Sequence, residues 1–467
     1  MPLSSYTIDD FAGGASDEEK RGVRGAFKNS WNLNIHKKGK NVLTCNQKLK
    51  KISESVVVDK IIKMVPVTST KSYAFGDAGN IYKIDGSTVT KKYTDPDGVI
   101  LDGDYFYGYL YWTTKTHLKR HLETTATWTD ANSAAMTPDS GTFNECDYHP
   151  IFIVPKSDLM TVGNGRYVAT VSSVPYFNAE ALDLHYGWEV RCLTLEKPNL
   201  LIGAVNNKQA EMFTWPDLSA DSFDPVEGWQ ERGINAFLKA VGTTYIFTPT
   251  LLYWYNQGLS DQAKELPSEV VPGAIDIWKG KMLFASNKGV NSYHKRNKNY
   301  PLALNLEYIT SAQSVDADTG ELESIEIGAI LGLGDSFYVG WKDGDDYGID
   351  IIDNDNKADG VYEGLIFDAN RPSEEKLFSE VKIVNRALPA GCSIKVKYRM
   401  QGSDTWVKAY LNSGDESFDT GGDEKAIFIL EGQGEYYEIR IELYSSGNDS
   451  PEVLSINSYF ELPITIH

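Results

Sequence analysis

The chain has 467 residues, of which 41% are hydrophobic and 12% aromatic, and its 45 basic and 65 acidic residues give a formal net charge of −20. That length suits two to four domains with sizeable cores. The acidic balance disfavours a protein that holds DNA phosphates or anionic membranes by bulk attraction, and no apolar run reaches the ~20 residues of a membrane-crossing helix.

Residues 1–54 read as an N-terminal arm and a first strand. Ser16-Asp-Glu-Glu-Lys-Arg-Gly22 is polar and Lys37-Lys-Gly-Lys40 is a basic turn, while Phe27, Trp31, Leu33 and Ile35 alternate with polar residues as in a strand with one buried face. The polar first half is expected to gain order only against a neighbour. The start, Met1-Pro-Leu-Ser-Ser5, lacks the charged and apolar regions of a secretory signal. The four cysteines, Cys45, Cys146, Cys192 and Cys392, form no CxxC pair and read as isolated buried thiols of a chain made in a reducing cytoplasm.

From residue 55 to 368 one unit recurs seven times: an apolar strand, a tight polar turn and a second strand carrying aromatics. Its copies are Lys71–Phe75 with Ile81-Tyr82, Tyr109–Trp112 with Leu118, and Ile151–Val154 with Tyr167-Val168. Leu200–Ile202 with Met212-Phe213, Tyr245–Phe247 with Leu252–Tyr255, Met282–Phe284 with Val290 and Tyr293, and Phe337–Val339 with Ile349–Ile352 complete the set. Spacings of roughly 36 to 55 residues are those of β-propeller blades. Such hairpins cannot bury both faces alone, so they must stack, and a closed ring removes exposed edges. The spacing predicts a propeller of seven blades, or six if the weak copy at Ile151 fails. Thr124–Cys146 reads as a long insertion loop.

Beyond Asp368-Ala-Asn-Arg-Pro372 the pattern changes to short, strictly alternating strands, among them Ser393–Tyr398, Ala426–Leu430 and Tyr436–Leu443, with glycine-marked turns. Residues 369–467 are therefore predicted to form a separate antiparallel β-sandwich, removable as a unit. Very little helix is expected anywhere.

No constellation with catalytic spacing emerges. Asp350, Asp353, Asp355 and Asp359, followed by Gly360 and Glu363, carry the oxygens a calcium site wants, without the spacing of a calcium-binding loop, and Asp95–Gly98 and Asp316–Gly320 read as turns. His117 and His121 would share a metal only on a helix; on a strand they stand about 13 Å apart. GxSxG, HExxH and P-loop patterns are missing. Gly402-Ser-Asp-Thr-Trp406 is a single, misplaced approximation to a sialidase-type turn, and no carboxylate pair can be chosen for glycoside hydrolysis. Tyr105–Trp112 and Tyr253–Tyr255 suit blade packing better than sugar stacking. The sequence thus assigns no catalytic, cofactor-binding or metal-binding residue, and no cofactor.

Gly25-Ala-Phe-Lys-Asn-Ser-Trp-Asn-Leu-Asn34, a basic turn and Leu43 precede Tyr73–Gly76 and Gly79–Tyr82, and Ile394–Arg399, Trp406 and Tyr436–Leu443 close the chain. This order of parts resembles virion proteins of tailed bacteriophages, in particular the tail nozzle or packaged-DNA stabilisation proteins of short-tailed phages. The resemblance spans nearly the whole chain and rests on architecture and degenerate motifs. It implies a non-enzymatic virion component made in the host cytoplasm. Such a protein is a homo-oligomeric ring, commonly of six subunits, that contacts portal, adaptor or tail proteins around the DNA exit channel. An acidic lumen would pass a polyanion without holding it. A carbohydrate- or receptor-binding tail protein and a polysaccharide-degrading propeller are the alternatives.

Overall fold

The computed structural model describes residues 4–18, 24–36, 42–174, 176–218, 222–229, 231–240, 242–256, 258–295, 302–316, 320–369 and 371–462. Among them the regular structure is strand, apart from two single-turn 3-10 helices at Pro216–Leu218 and Pro272–Ala274. Chain contacts define two compact units: a ring unit of Lys51–Asn287 and Ile325–Ile351, and a three-segment unit of Met1–Lys50, Lys288–Ser324 and Ile352–His467.

The ring unit is a succession of small antiparallel sheets, each begun by its inner strand. The inner strands are Ile61–Pro66, Asp102–Phe106, Ile151–Ile153, Glu189–Glu196, Ala236–Ala240, Ile275–Trp278 and Glu326–Leu333. Each touches the next in sequence, and the last returns to the first. Apolar side chains fill the gaps between neighbouring sheets. Val65, Phe75 and Ile81 of the first sheet meet Leu110 and Trp112 of the second, and Leu182 of the third meets Ile202 and Phe213 of the fourth. Phe247 meets Phe284 edge-on at 5.6 Å, and Trp278 stacks on Phe337 at 5.2 Å. Ala329, Leu331 and Tyr338 of the last sheet pack with Ile61, Met64 and Tyr82 of the first. Hydrogen bonds from Ile52 N to Ile349 O and from Ile349 N to Ser53 Oγ, both 2.9 Å, tie the unit's entry to its final sheet. This is β-propeller character: sheets stacked face to face about a closed inner ring.

Two large sheets, with the short parallel pair of Gly14–Ala15 and Ala26–Phe27, build the three-segment unit. One runs, in spatial order, Ser4–Ile8, Val453–Glu461, Lys376–Asn385, Lys425–Gly434 and Tyr410–Leu411. The other contains Gly289–His294, Ala303–Tyr308, Asn29–Trp31, Gly360–Glu363, Tyr437–Tyr444, Ser393–Met400 and Val407–Lys408. Between them Phe378, Val381, Phe428 and Ile456 face Tyr362, Val396, Ile439 and Ile441 in one apolar core.

The expected boundaries at 54/55 and 368/369 do not follow this division. Residues 288–324 and 352–368, expected within the propeller, belong to the three-segment unit. The cause is pairing and packing: Val361 and Tyr362 lie in register with Trp31 and Ser30, and Trp31, Leu306, Leu322 and Val361 form one apolar cluster. Four chain crossings join the units, so residues 369–467 are not a contiguous, removable domain.

The described residues among 1–50 likewise form no loose arm. Ser4–Ile8 pairs in unbroken register with Val453–Glu461, and Phe11, Phe27, Leu33, Ile35, Leu43 and Cys45 are in the core. Phe27, Leu33 and Ile35 do share a core as predicted, but Trp31 lies in the separate cluster with Leu306, and Asn32, at φ 57°, turns the backbone after it. The basic patch Lys37–Lys40 lies outside the described residues.

Phe11 packs edge-on to Tyr362 at 5.6 Å and is 1% exposed. Phe11→Ala is therefore expected to cost about 3–5 kcal/mol in chemical denaturation of the three-segment unit. A cost under about 1 kcal/mol would restore the dispensable arm.

Candidate functional site

Most of the acids and histidines singled out in the sequence are held by partners within the fold. Asp95, fully buried, accepts the Trp112 indole N–H at 2.6 Å and pairs with Lys119 at 2.7 Å; Lys119 also reaches Asp97 at 2.9 Å. Burial would raise Asp97, but hydrogen bonds from Lys119 and His117 hold it below the usual carboxylate range. His117 thus caps a turn, whereas His121 on Leu118–Leu122 is buried and stacks on Trp128 at 3.7 Å. Trp128 brings part of the Thr124–Cys146 loop onto the sheet beside Tyr73 and Tyr93, while most of the loop's residues remain exposed.

Of the calcium candidates, Asp350 accepts from the Trp341 indole at 2.8 Å, and Asp353 accepts from Asp355 N and Asn356 Nδ2. Asp359 accepts from Ser445 N, and Glu363 pairs with Arg440 at 3.3 Å. Residues 317–319 lie outside the described residues. Among the described residues no group of three or more His, Cys, Asp and Glu is placed to hold a metal ion.

One pair escaped the sequence reading. Cys146 Sγ lies 3.2 Å from His149 Nε2. The thiol donates to Tyr148 O at 3.1 Å, and burial pushes it up to about 11, while burial pulls His149 down. Both shifts favour the neutral forms, the opposite of an activated thiolate–imidazolium pair.

At the centre of the ring unit, inner strands bring polar groups together. Lys63 on Ile61–Pro66 pairs with Asp102 at 3.3 Å. Burial alone would pull Lys63 down; Asp102 and Asp104 hold it up, with a smaller contribution from Asp276. Asp102 Oδ2 also accepts from Ile151 N at 2.8 Å, stitching the second sheet to the third, and Asp276 Oδ2 accepts from Gly332 N at 2.6 Å, stitching the sixth to the seventh. Burial pushes Asp104 up to about 6 against the pull of Lys63 and its bond from Tyr105 N.

Two hollows of about 300 Å³ each open where strands and loops enter the ring, and Tyr148, Arg191, Val271 and Pro272 line both. Close backbone approach shapes one of them: a Cβ at Gly273 would overlap the Ile62 carbonyl oxygen, and one at Gly328 the Ile61 carbonyl oxygen. Arg191 lies over the Tyr148 ring, 3.3 Å from its centroid, and Nη2 donates to Glu189 at 3.0 Å.

In the three-segment unit, the face of Tyr437–Tyr444 turned away from the core carries Glu438, Arg440 and Glu442. Arg440, 3% exposed, lies 3.3 Å from both Glu363 and Glu442, donates to Gly320 O at 2.8 Å and sits over Trp31. Lys397 pairs with Glu442 at 2.7 Å, and Arg399 and Lys28 pair with Glu438. A cleft of about 940 Å³ borders this ladder at Arg440, Glu442 and Tyr444. Its charges neutralise one another, as buried charges must.

No protein-family model matches the chain, and no curated protein matches it. Among solved structures, the extracellular domain assigned to a hybrid two component system of B. thetaiotaomicron is 13% identical with a TM-score of 0.49, covering 74% of this chain and 43% of that one. A second such extracellular domain from that organism is 13% identical with a TM-score of 0.47, covering 88% of this chain and 59% of that one. The WD40 β-propeller domain of Doa1 is 13% identical with a TM-score of 0.44, covering 63% of this chain and 93% of that one. The chain thus spans less than two thirds of the length of either extracellular domain.

Asp104 gives the ring a pH signature. Its folded-state pKa of about 6 exceeds the ~3.9 of an unfolded chain, so the folded form holds the extra proton between about pH 4 and 6. The aspartate therefore costs stability above pH 6, and the cost vanishes below pH 4. Thermal melts of Asp104→Asn should show a higher Tm than the parent at pH 8, with the gain shrinking through pH 6 and gone at pH 4. An equal gain at all three would refute the assignment.

Proposed function

We propose that this chain is a non-enzymatic structural component of a tailed-phage virion, of the tail nozzle or head-to-tail type, assembling as a homo-oligomeric ring around the DNA exit channel. Its ring unit is a seven-bladed β-propeller, and its three-segment unit is a β-sandwich. The observation that carries this reading is the closed succession of seven inner strands, Ile61–Pro66 through Glu326–Leu333, in which chemistry-bearing side chains bind strand to strand. Such a ring resists distortion, and the order of sequence motifs resembles that of the nozzle proteins. The formal charge of −20 suits a wall past which DNA slides.

Among the described residues no helix is long and apolar enough to cross a membrane. Partners on this reading are portal, adaptor or other tail proteins. A receptor- or carbohydrate-binding role is favoured by one observation, the exposure of loop tyrosines: Tyr186 is 93% exposed, Tyr107 59% and Tyr176 54%.

The test is mass photometry with negative-stain imaging of the purified chain. A closed ring near six times the 52.0 kDa chain mass is expected, and no depolymerisation of host polysaccharide. A chain that stays monomeric at micromolar concentration, alone and with portal or adaptor protein, or one that cleaves polysaccharide catalytically, would sink the proposal.

A further inference from the structure

Arg191 is not fully used by the fold. Glu189 takes one terminal nitrogen, while Nε is buried without a hydrogen-bond partner. The other terminal nitrogen, Nη1, makes no hydrogen bond among the described residues, and it is this donor that an incoming acceptor can take. Arg232 lines the same hollow, exposed and without an ion pair among the described residues. Of the acids lining the two hollows, Glu269 accepts from Asn235 at 3.0 Å, Asp147 pairs with Lys115 at 2.6 Å and Asp102 pairs with Lys63 at 3.3 Å, while Asp77 lines only the second hollow. On a chain of net charge −20, two arginines with spare donors in one hollow reverse the local sign.

Across the shared wall of Tyr148, Arg191, Val271 and Pro272, the second hollow offers Ile62, Ile100 and Leu101. We propose that the two hollows together form a peptide-binding groove, which takes a carboxylate against Arg191 and Arg232 and a neighbouring apolar side chain against Ile62, Ile100 and Leu101. The guanidinium is held over the Tyr148 ring and by Glu189, which leaves its other terminal nitrogen for a carboxylate. Pro249, Val271 and Pro272 give the hollow accessible apolar surface, which suits an apolar side chain beside the carboxylate better than the hydroxyls of an acidic sugar. The groove lies wholly within the ring unit and does not rest on the virion reading.

The experiment is binding of the full chain to an array of random heptapeptides, some with free and some with amidated C-termini. Retained peptides should carry Asp, Glu or a free C-terminus next to an apolar residue. Replacing that acid by its amide should weaken binding at least tenfold in fluorescence anisotropy. Arg191→Lys keeps the charge but loses the planar edge and should weaken binding about tenfold; Arg232→Gln, an exposed change, should weaken it about threefold, with the Tm of both variants unchanged. The proposal is overturned if no peptide is retained, if retained peptides lack a carboxylate, or if both variants bind like the parent. Binding of a uronic-acid oligosaccharide without any peptide would also overturn it.

Discussion

The ring unit depends on one close approach. Ile61 and Ile62 begin the first sheet, and the last sheet must come back to meet them across some 260 residues of chain. Gly328 and Gly340 make this possible. A Cβ on Gly340 would sit 2.7 Å from Ile61 Cβ, and one on Gly328 would overlap the Ile61 carbonyl. Side chains there would hold the seventh sheet away from the first. The cluster of Ile61, Met64, Tyr82, Ala329, Leu331 and Tyr338 would then open to water. Every other interface in the ring joins sheets adjacent in sequence; this one alone must wait for the end, so it sets the loop-closure cost of the whole unit.

The three-segment unit answers a different constraint. Its central strand Tyr437–Tyr444 has Ile439, Ile441 and Leu443 on the core side and Glu438, Arg440 and Glu442 on the other. Alternation of this strictness normally means one dry and one wet face. Here the polar face is also largely buried, so its charges are satisfied laterally by Lys28, Glu363, Lys397 and Arg399. Removing one partner leaves a buried charge uncompensated, a cost of about 3–5 kcal/mol. The ladder therefore fixes which strands may be neighbours more than it adds net stability.

These two constraints explain what the sequence disclosed. The hairpin motifs fall on observed strands, except that the copy at Ile151–Val154 lands on the inner strand Ile151–Ile153 and runs past its end. The rest lie largely on the middle strands of the blades, which are packed on both faces and read as apolar runs, as in Leu200–Ile202 within Asn199–Val205. Inner strands such as Asp102-Gly-Asp-Tyr-Phe106 carry carboxylates for the ring's centre, and outer ones such as Thr88–Thr94 face solvent, so neither stands out. The N-terminal residues misled for another reason. Phe11, Phe27 and Leu43 are separated by Gly, Asp and Lys, and the strands that bury them lie hundreds of residues away. The groove was illegible for the same cause. Tyr148 comes from a loop, Arg191 from the fourth sheet and Ile62 from the first, with no local spacing to link them.

Segment order also constrains how the molecule is made. The core of the three-segment unit needs Phe11 and Phe27 from the start of the chain, Tyr362 from its third segment and Ile439 to Phe460 from its end. The ring needs residues up to Ile349 before its entry is tied down. Ring sheets can therefore accumulate one upon another as they are synthesised, each covering the apolar face of its predecessor. The described residues among the first 50 make short pairings of their own, Gly14-Ala15 with Ala26-Phe27 and Leu33 with Cys45, but Ser4–Ile8 and the core side chains must wait for partners made after residue 360. The high content of Gly, Asp, Asn and Lys in this segment fits that wait, since a more apolar segment would collapse onto the growing ring before its own partners had been made.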